Sequence, residues 1–282
     1  MHSFRYVGKE LSCEAATIAS LVKKHGTPLY VYSQATLEDH FGKLHAALAP
    51  LDHLICYAMK ANSNQAVMRV LANAGGGFDT VSEGELRRVI AAGGDPAKCV
   101  FAGVGKTDAE IEFALKAGIY CFNCESEPEL QRINKVAARL KKIAPVAVRV
   151  NPNVDAGTHA KITTGTYENK FGIAIEKIEG VYARASKLKN LRLRGVQMHI
   201  GSQLTAVSPF EQAVRKVIPL AQHLQKRHGI EFFSIGGGLG IVYQPALKSA
   251  DAAWWKQDGR NILTPEKYAA RQIGRASCRE RV

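Results

Sequence analysis

The stretch Gly77-Phe-Asp-Thr-Val-Ser-Glu-Gly-Glu-Leu-Arg-Arg-Val-Ile-Ala-Ala-Gly-Gly-Asp-Pro-Ala-Lys-Cys-Val-Phe-Ala102 holds one strand–helix–strand unit. A short β-type run, Gly77–Asp79, leads into Ser82-Glu-Gly-Glu85, which reads as a capping box opening a helix over Ser82–Ala92. Cys99–Ala102 supplies the next apolar run. Strand, helix and strand in this order mean parallel strands joined by a crossover helix.

The same alternation runs through most of the chain. Further strands are expected at Leu54–Ala58, Tyr120–Asn123, Val146–Val150, Val196–Ile200 and Phe232–Ile235. Helices are expected at Asn64–Ala74, Asp108–Ala117, Glu127–Lys142, Ile175–Leu188 and Pro209–His228. In Glu127–Lys142 the apolar Leu130, Ile133, Val136, Ala137 and Leu140 recur at three- and four-residue steps, with basic residues between. Early strands recur about every 22 residues, one βα unit each. A doubly wound sheet and a (β/α)8 barrel both give this rhythm. Lys60, Asp79, Gly103, Asn123, Arg149, His199 and Gly236–Gly238 each close or follow a different strand. A doubly wound sheet gathers its ligand at one switch point, whereas a barrel gathers it from many strand ends. The expected fold is therefore an α/β, TIM-type (β/α)8 barrel of which seven strands are visible.

Before the barrel, a helical stretch near Glu14–Lys24 leads through Gly26-Thr-Pro28 to a run, Leu29–Tyr32, read as a strand. Residues 1–33 are expected to contribute to a second, β-rich domain, and residues 34–271 to form the barrel. The final stretch, 272–282, has no periodicity and resembles a sequencing-adapter oligonucleotide read in frame, so it is set apart from the fold.

Composition excludes several classes. With 46% hydrophobic and 22% charged residues, the chain is not mainly disordered. No run of eighteen apolar residues occurs and the N-terminus lacks a secretory h-region, so a cytoplasmic location is expected. Six irregularly spaced cysteines make no disulfide framework. The net charge of +13 is spread out; its densest stretches, Arg139–Lys142 and Lys187–Arg194, mix with apolar residues, and no nucleic-acid signature accompanies them. Neither a nucleic-acid nor a membrane partner is expected.

Five features carry chemistry. In Tyr57-Ala-Met-Lys-Ala-Asn62 a lysine follows an apolar strand, where loss of hydration favours a free amine able to attack a carbonyl, as a Schiff-base lysine must. From this hexapeptide alone, a surface lysine on a βα loop is an equal alternative. Gly236-Gly-Gly-Leu-Gly240 lets backbone N–H groups approach an anion, although its spacing matches neither a dinucleotide nor a P-loop fingerprint. In His199-Ile-Gly-Ser-Gln203, His199 suits ring stacking or proton transfer and Ser202 a phosphate oxygen, while a lone strand-end histidine is also a common core residue. Arg149 closes an apolar strand, with Asp79 and Glu85 as candidate acidic partners; a plain ion-pair network explains these three equally well. Cys121-Phe-Asn-Cys124 has half of a metal site's spacing but no second half, and reads as two small buried residues. No metal is expected.

Together these motifs resemble the fold-type III pyridoxal-phosphate decarboxylases. Gly26–Tyr32, Asn151–His159, Thr164-Gly165, Glu168–Ile173, and Gln203-Leu-Thr followed by Pro209-Phe210 resemble the branch acting on diaminopimelate. The one departure noticed is Gly157, where many relatives carry a larger polar residue. The resemblance implies that Lys60 carries pyridoxal 5'-phosphate and that His199 packs on its ring. It further implies that Ser202 and Gly236, Gly237 and Gly238 hold the phosphate, with Asp79, Glu85 and Arg149 in support. The implied reaction is decarboxylation of meso-2,6-diaminopimelate to L-lysine and CO2 by a homodimer with shared active sites. A decarboxylase or racemase of another amino acid, or a non-catalytic pyridoxal-phosphate binder, are the alternatives. The resemblance also places a Glu-Pro-Gly-Arg segment, a Cys-Glu pair, a substrate-binding Tyr and an eighth strand beyond the barrel strands seen here. A chain without them is expected to be inactive.

Overall fold

Three antiparallel strands, β1 (Phe4–Val7), β2 (Glu10–Cys13) and β3 (Ala16–Thr17), open the computed structural model, which describes residues 3–154, 171–241 and 263–276. Helix α1 (Ile18–His25) follows, with the Thr17 hydroxyl accepting from the Ser20 N–H. The helix cannot start at Glu14 as the sequence suggested, because Glu14 holds a turn conformation with φ 54°. Nor is Leu29–Tyr32 a strand: it makes no ladder, and Tyr30 is 84% exposed. The helix α2 (Gln34–Leu48) was not anticipated, although Ser33 caps it and Leu37, Phe41, Leu44 and Leu48 form its inward stripe.

The barrel strands then appear in order. They are β4 (Cys56–Ala58), β5 (Gly77–Thr80), β6 (Cys99–Phe101), β7 (Cys121–Cys124), β8 (Ala144–Asn151), β10 (Leu191–Met198) and β11 (Phe232–Ser234). Each pairs in parallel with the one before it, with no reversal of order. A doubly wound sheet must reverse at its switch point, so the unbroken order is that of the TIM-type barrel. A two-residue strand, β9 (Ile173–Ala174), adds to the end of β8 at Val150 and Asn151. The crossover helices are α3 (Gln65–Asn73), α4 (Glu83–Ala91), α5 (Asp108–Ala117), α6 (Glu127–Arg139), α7 (Ile178–Ala185) and α8 (Ser208–His228).

Strand alternation divides the two faces. Phe78, Phe101, Phe122, Val146 and Val148 point outward and are fully buried beneath Leu86 and Val89 of α4, Ile111 of α5, and Leu130, Ile133, Val136 and Ala137 of α6. The same alternation turns Asp79, Cys121, Asn123, Ala147, Arg149 and Gln197 toward the barrel interior. Cys121 and Cys124, three positions apart, therefore sit on opposite faces of β7, and both are fully buried. At the foot of the last strand, Glu231 ion-pairs with Arg192 and Arg194, and the Arg194 guanidinium lies 3.8 Å over the Tyr120 ring.

Helix α9 (Pro265–Ala276) packs beside α2 and α8, with Tyr268 edge-on to Phe210 at 4.9 Å. Its backbone runs past position 271, and residues 277–282 lie outside the described residues. Among the described residues no helix is long and apolar enough to cross a membrane.

The Phe101 and Phe122 rings stack 6.0 Å apart under α5 and α6, both without exposure. Phe122→Ala is expected to destabilise the chain by about 3–5 kcal/mol through lost burial and the cavity left. Urea denaturation measures this, with the exposed Tyr30→Ala as a control staying within about 0.5 kcal/mol of the parent.

Candidate active site at the carboxyl ends of the strands

Parallel strands all deliver their last residues to one end, and there the singled-out side chains collect. After β4 the chain makes a single 3-10 turn, Met59–Ala61, which the fully buried Met59 anchors from below. The Tyr57 hydroxyl donates to the Asn62 carbonyl at 3.3 Å and ties the turn down. Lys60, at its centre, is exposed and lines an open cleft of about 480 Å³ with Met59, Ser63, Ser82, Gly84, Glu85 and Arg88. The desolvation expected for this lysine is therefore not built by the described residues, because the turn swings it off the apolar strand into the cleft.

Asp79 sits on the interior face near the end of β5, and its Oδ1 is buried without a hydrogen-bond partner among the described residues. Burial pushes its carboxyl up to about 6; Lys60 opposes this, Glu85 adds to it, and Arg149 and Lys106 oppose it. Glu85 turns back on its own helix. Its Oε2 accepts the Val81 N–H at 2.7 Å, while its N–H donates to the Ser82 hydroxyl at 3.2 Å. The capping box thus forms with one shift, the carboxylate taking the N–H before the cap rather than that of Ser82.

Arg149 corrects the sequence reading. Its acidic partner is neither Asp79 nor Glu85 but Glu125, at 3.0 Å between Nη1 and Oε1. The reason is topological: Glu125 follows β7, the immediate neighbour of β8, whereas Asp79 stands two strands further on. The second arm of Arg149 donates to the His199 carbonyl at 3.3 Å, and the guanidinium lies 5.2 Å over the Phe171 ring.

His199 leaves the end of β10 half-buried, its Nδ1 accepting the Gly237 N–H at 3.3 Å. Burial, then the positive charges of Arg149 and Lys60, hold its pKa down to about 4, so the ring is neutral at pH 7 with its proton on Nε2. The glycine turn is shaped by close approach. A Cβ on Gly236 would fall 2.2 Å from the Met198 carbonyl oxygen, and one on Gly238 would fall 2.0 Å from that of Gly201, with φ 73° and 109°. Leu204 N–H donates to the Gly238 carbonyl at 2.9 Å and seams this turn to the loop carrying the exposed Ser202. Gly237 faces open space.

The structure thus brings the charges of Lys60 and Arg149 close enough to act on both Asp79 and His199, with Glu85 beside Asp79. It also shows residues that sequence reading missed: Lys106, Glu125 and Glu129 all lie beyond the ends of β6 and β7, where strand-end position was the available signal. Gly157, Thr164, Gly165 and Glu168–Lys170 lie outside the described residues.

An exposed amine, a neutral imidazole and a side-chain-free glycine turn, delivered by separate strands, have the chemistry to receive an aldehyde-bearing, anionic cofactor. The family described as "Pyridoxal-dependent decarboxylase, pyridoxal binding domain" matches residues 34–264, and the chain belongs to that family. It is 51% identical over 251 residues to the diaminopimelate decarboxylase of Pseudomonas aeruginosa, covering 88% of this chain and 60% of the relative. It is 45% identical to the diaminopimelate decarboxylase of Pseudomonas fluorescens, covering 97% of this chain and 68% of that one. The solved diaminopimelate decarboxylase of Helicobacter pylori, complexed with L-lysine, superposes with a TM-score of 0.84 at 35% identity, over 94% of this chain and 64% of that chain. The chain spans about 60% of the length of most curated relatives it matches. The residues present fit pyridoxal phosphate: a reachable lysine amine, buried oxygens on Asp79, Gln197 and Glu125 that have no partner among the described residues, and backbone positions that exclude side chains.

Asp79 and His199 load the fold in opposite senses. A carboxyl raised to about 6 weighs against the folded state as pH rises from 3.8 through 6. An imidazole lowered to about 4 gives stability that is full above 6.5 and lost as pH falls toward 4. Asp79→Asn is expected to gain about 1–3 kcal/mol at neutral pH and nothing below about pH 4, read by urea unfolding at both.

Proposed function

We propose that the protein to which this chain belongs decarboxylates meso-2,6-diaminopimelate to L-lysine and CO2, using pyridoxal 5'-phosphate. The observation carrying this is the 51% identity to a named diaminopimelate decarboxylase, over a stretch that includes every strand end of the site. The L-lysine held by structural relatives at 34–35% identity supports the same product class. Neighbours named lysine/ornithine decarboxylase, at 21% identity, share the fold alone.

In this reading Lys60 supplies the amine that holds the cofactor, and the exposed cleft lets a substrate amine reach the same place. When bound, the cofactor supplies the conjugated ring that takes up the electron pair left behind as a carboxylate departs as CO2. His199, neutral and fixed by Gly237, offers a flat uncharged face to that ring. Ser202 and the turn Gly236, Gly237 and Gly238 take the phosphate, since only glycine fits beside the Met198 and Gly201 carbonyls. Asp79 and Arg149 set the charge around Lys60 and His199, and Glu85 fixes the helix start at the cleft wall. The proposal includes a cytoplasmic homodimer whose subunits complete each other's sites.

The intact protein loaded with cofactor is expected to release CO2 and L-lysine in equal amounts from meso-2,6-diaminopimelate. Lys60→Ala should cut this by several orders of magnitude. Turnover of ornithine or arginine in preference would overturn the substrate assignment. Gly238→Ala should lose cofactor while keeping far-ultraviolet ellipticity, because its Cβ clashes only within the loop pair; cofactor absorbance on the washed protein checks this.

A further inference from the structure

One buried lysine is left unused by this reading. Lys106 follows β6 with its side chain 1% exposed, and its ammonium donates to the Gly103 carbonyl at 2.6 Å, the Asn123 carbonyl at 2.9 Å and Glu129 Oε1 at 2.6 Å. Three protons meet three acceptors, so this amine has no donor to spare for a ligand. Glu129 uses its other oxygen to accept the Glu125 N–H at 2.7 Å. Glu125 Oε1 then takes Arg149 Nη1 at 3.0 Å, Arg149 Nη2 reaches the His199 carbonyl at 3.3 Å, and the His199 ring meets Gly237.

Two cations thus flank two anions, joined through the Glu125 N–H, in a connected chain from the end of β6 to the glycine turn after β11. Glu125 and Arg149 are 6% and 12% exposed, Glu129 11%. Burying such charges costs several kcal/mol per ion, and apolar residues of similar volume often serve stability as well. What apolar residues cannot do is fix a guanidinium's direction. The Lys106–Glu129 pair pins the backbone from which the Glu125 carboxylate springs, and that carboxylate aims Arg149.

We propose that Lys106 and Glu129 are positioning residues that act through Glu125 to hold Arg149 beneath His199, and so to keep the cofactor site shaped. This deepens the pyridoxal-phosphate reading and rests on it for its functional meaning. The double variant Lys106→Met/Glu129→Gln removes charge in a neutral pair and leaves an amide oxygen for the Glu125 N–H. Glu125→Gln cuts the same chain one link nearer Arg149 with almost no change of volume, so the outcome does not depend on the double variant folding.

Two readouts are taken on the intact protein: the cofactor dissociation constant by absorbance, and the His199 titration by proton–carbon NMR without cofactor. The double variant is expected to weaken cofactor binding about tenfold. It should also move the His199 titration upward, because Arg149 and Lys60 are the cations that face the ring and Arg149 is released. Glu125→Gln should weaken binding similarly, and adding it to the double variant should cost less than about twofold more. Unchanged His199 titration and cofactor affinity in the folded variants, or fully additive losses, would overturn the proposal. A lower thermal midpoint with His199 unmoved would reduce the network to a structural role and overturn it equally. Should the parent protein bind no pyridoxal phosphate, the functional reading fails, while the His199 titration still decides the positioning role.

Discussion

Everything at this site depends on strands that run the same way. A parallel ladder built in sequence order sends each strand's last residues to one end of the sheet, so no single loop has to carry the chemistry. Lys60 leaves β4, Asp79 lies on β5, Lys106 follows β6, Glu125 follows β7, Arg149 lies on β8, His199 follows β10 and the glycine turn follows β11. An antiparallel sheet from the same residues would divide them between two ends about a strand's length apart. The outward Phe and Val residues buried under the helices hold this arrangement rigid, leaving the inner face free to be polar.

That inner face is electrostatically balanced rather than neutral. Asp79 is held closer to its acid form and His199 closer to its base form than either would be in water. Their contributions to stability slope in opposite directions across mildly acidic pH, so the fold is buffered where each group alone would tilt it. A substitution that removes Asp79 gains stability and gives up a charge placed beside Lys60. Strain of this kind belongs at a site shaped for a ligand.

The barrel was legible in the sequence because strand and helix alternate with a short, regular period and good caps. Six of the seven barrel strands were read to within about two residues at both ends; the β10 ladder begins five residues earlier, where Leu191-Arg-Leu-Arg194 looks like a charged lead-in. Local pattern failed where long-range contacts decide. Leu29–Tyr32 has strand composition but forms no ladder among the described residues, and Arg149 could be placed on a strand end without revealing which acid stood beside it. Nothing in the local sequence distinguishes Lys106 from other loop lysines; its burial and its three acceptors, from two other segments and its own turn, set it apart.

The regularity of the early barrel has a bearing on how the chain is made. Ala58 pairs with Asp79, Asp79 with Val100, and Val100 with Cys121, each partner 21 positions further along. Closing so short a loop costs little entropy, and each βα unit meets its neighbour soon after both leave the ribosome. The wall of the barrel can therefore assemble progressively during synthesis, while the loops that shape the phosphate end, after β10 and β11, arrive late. Nascent chains would acquire architecture well before they acquire any capacity to hold a ligand.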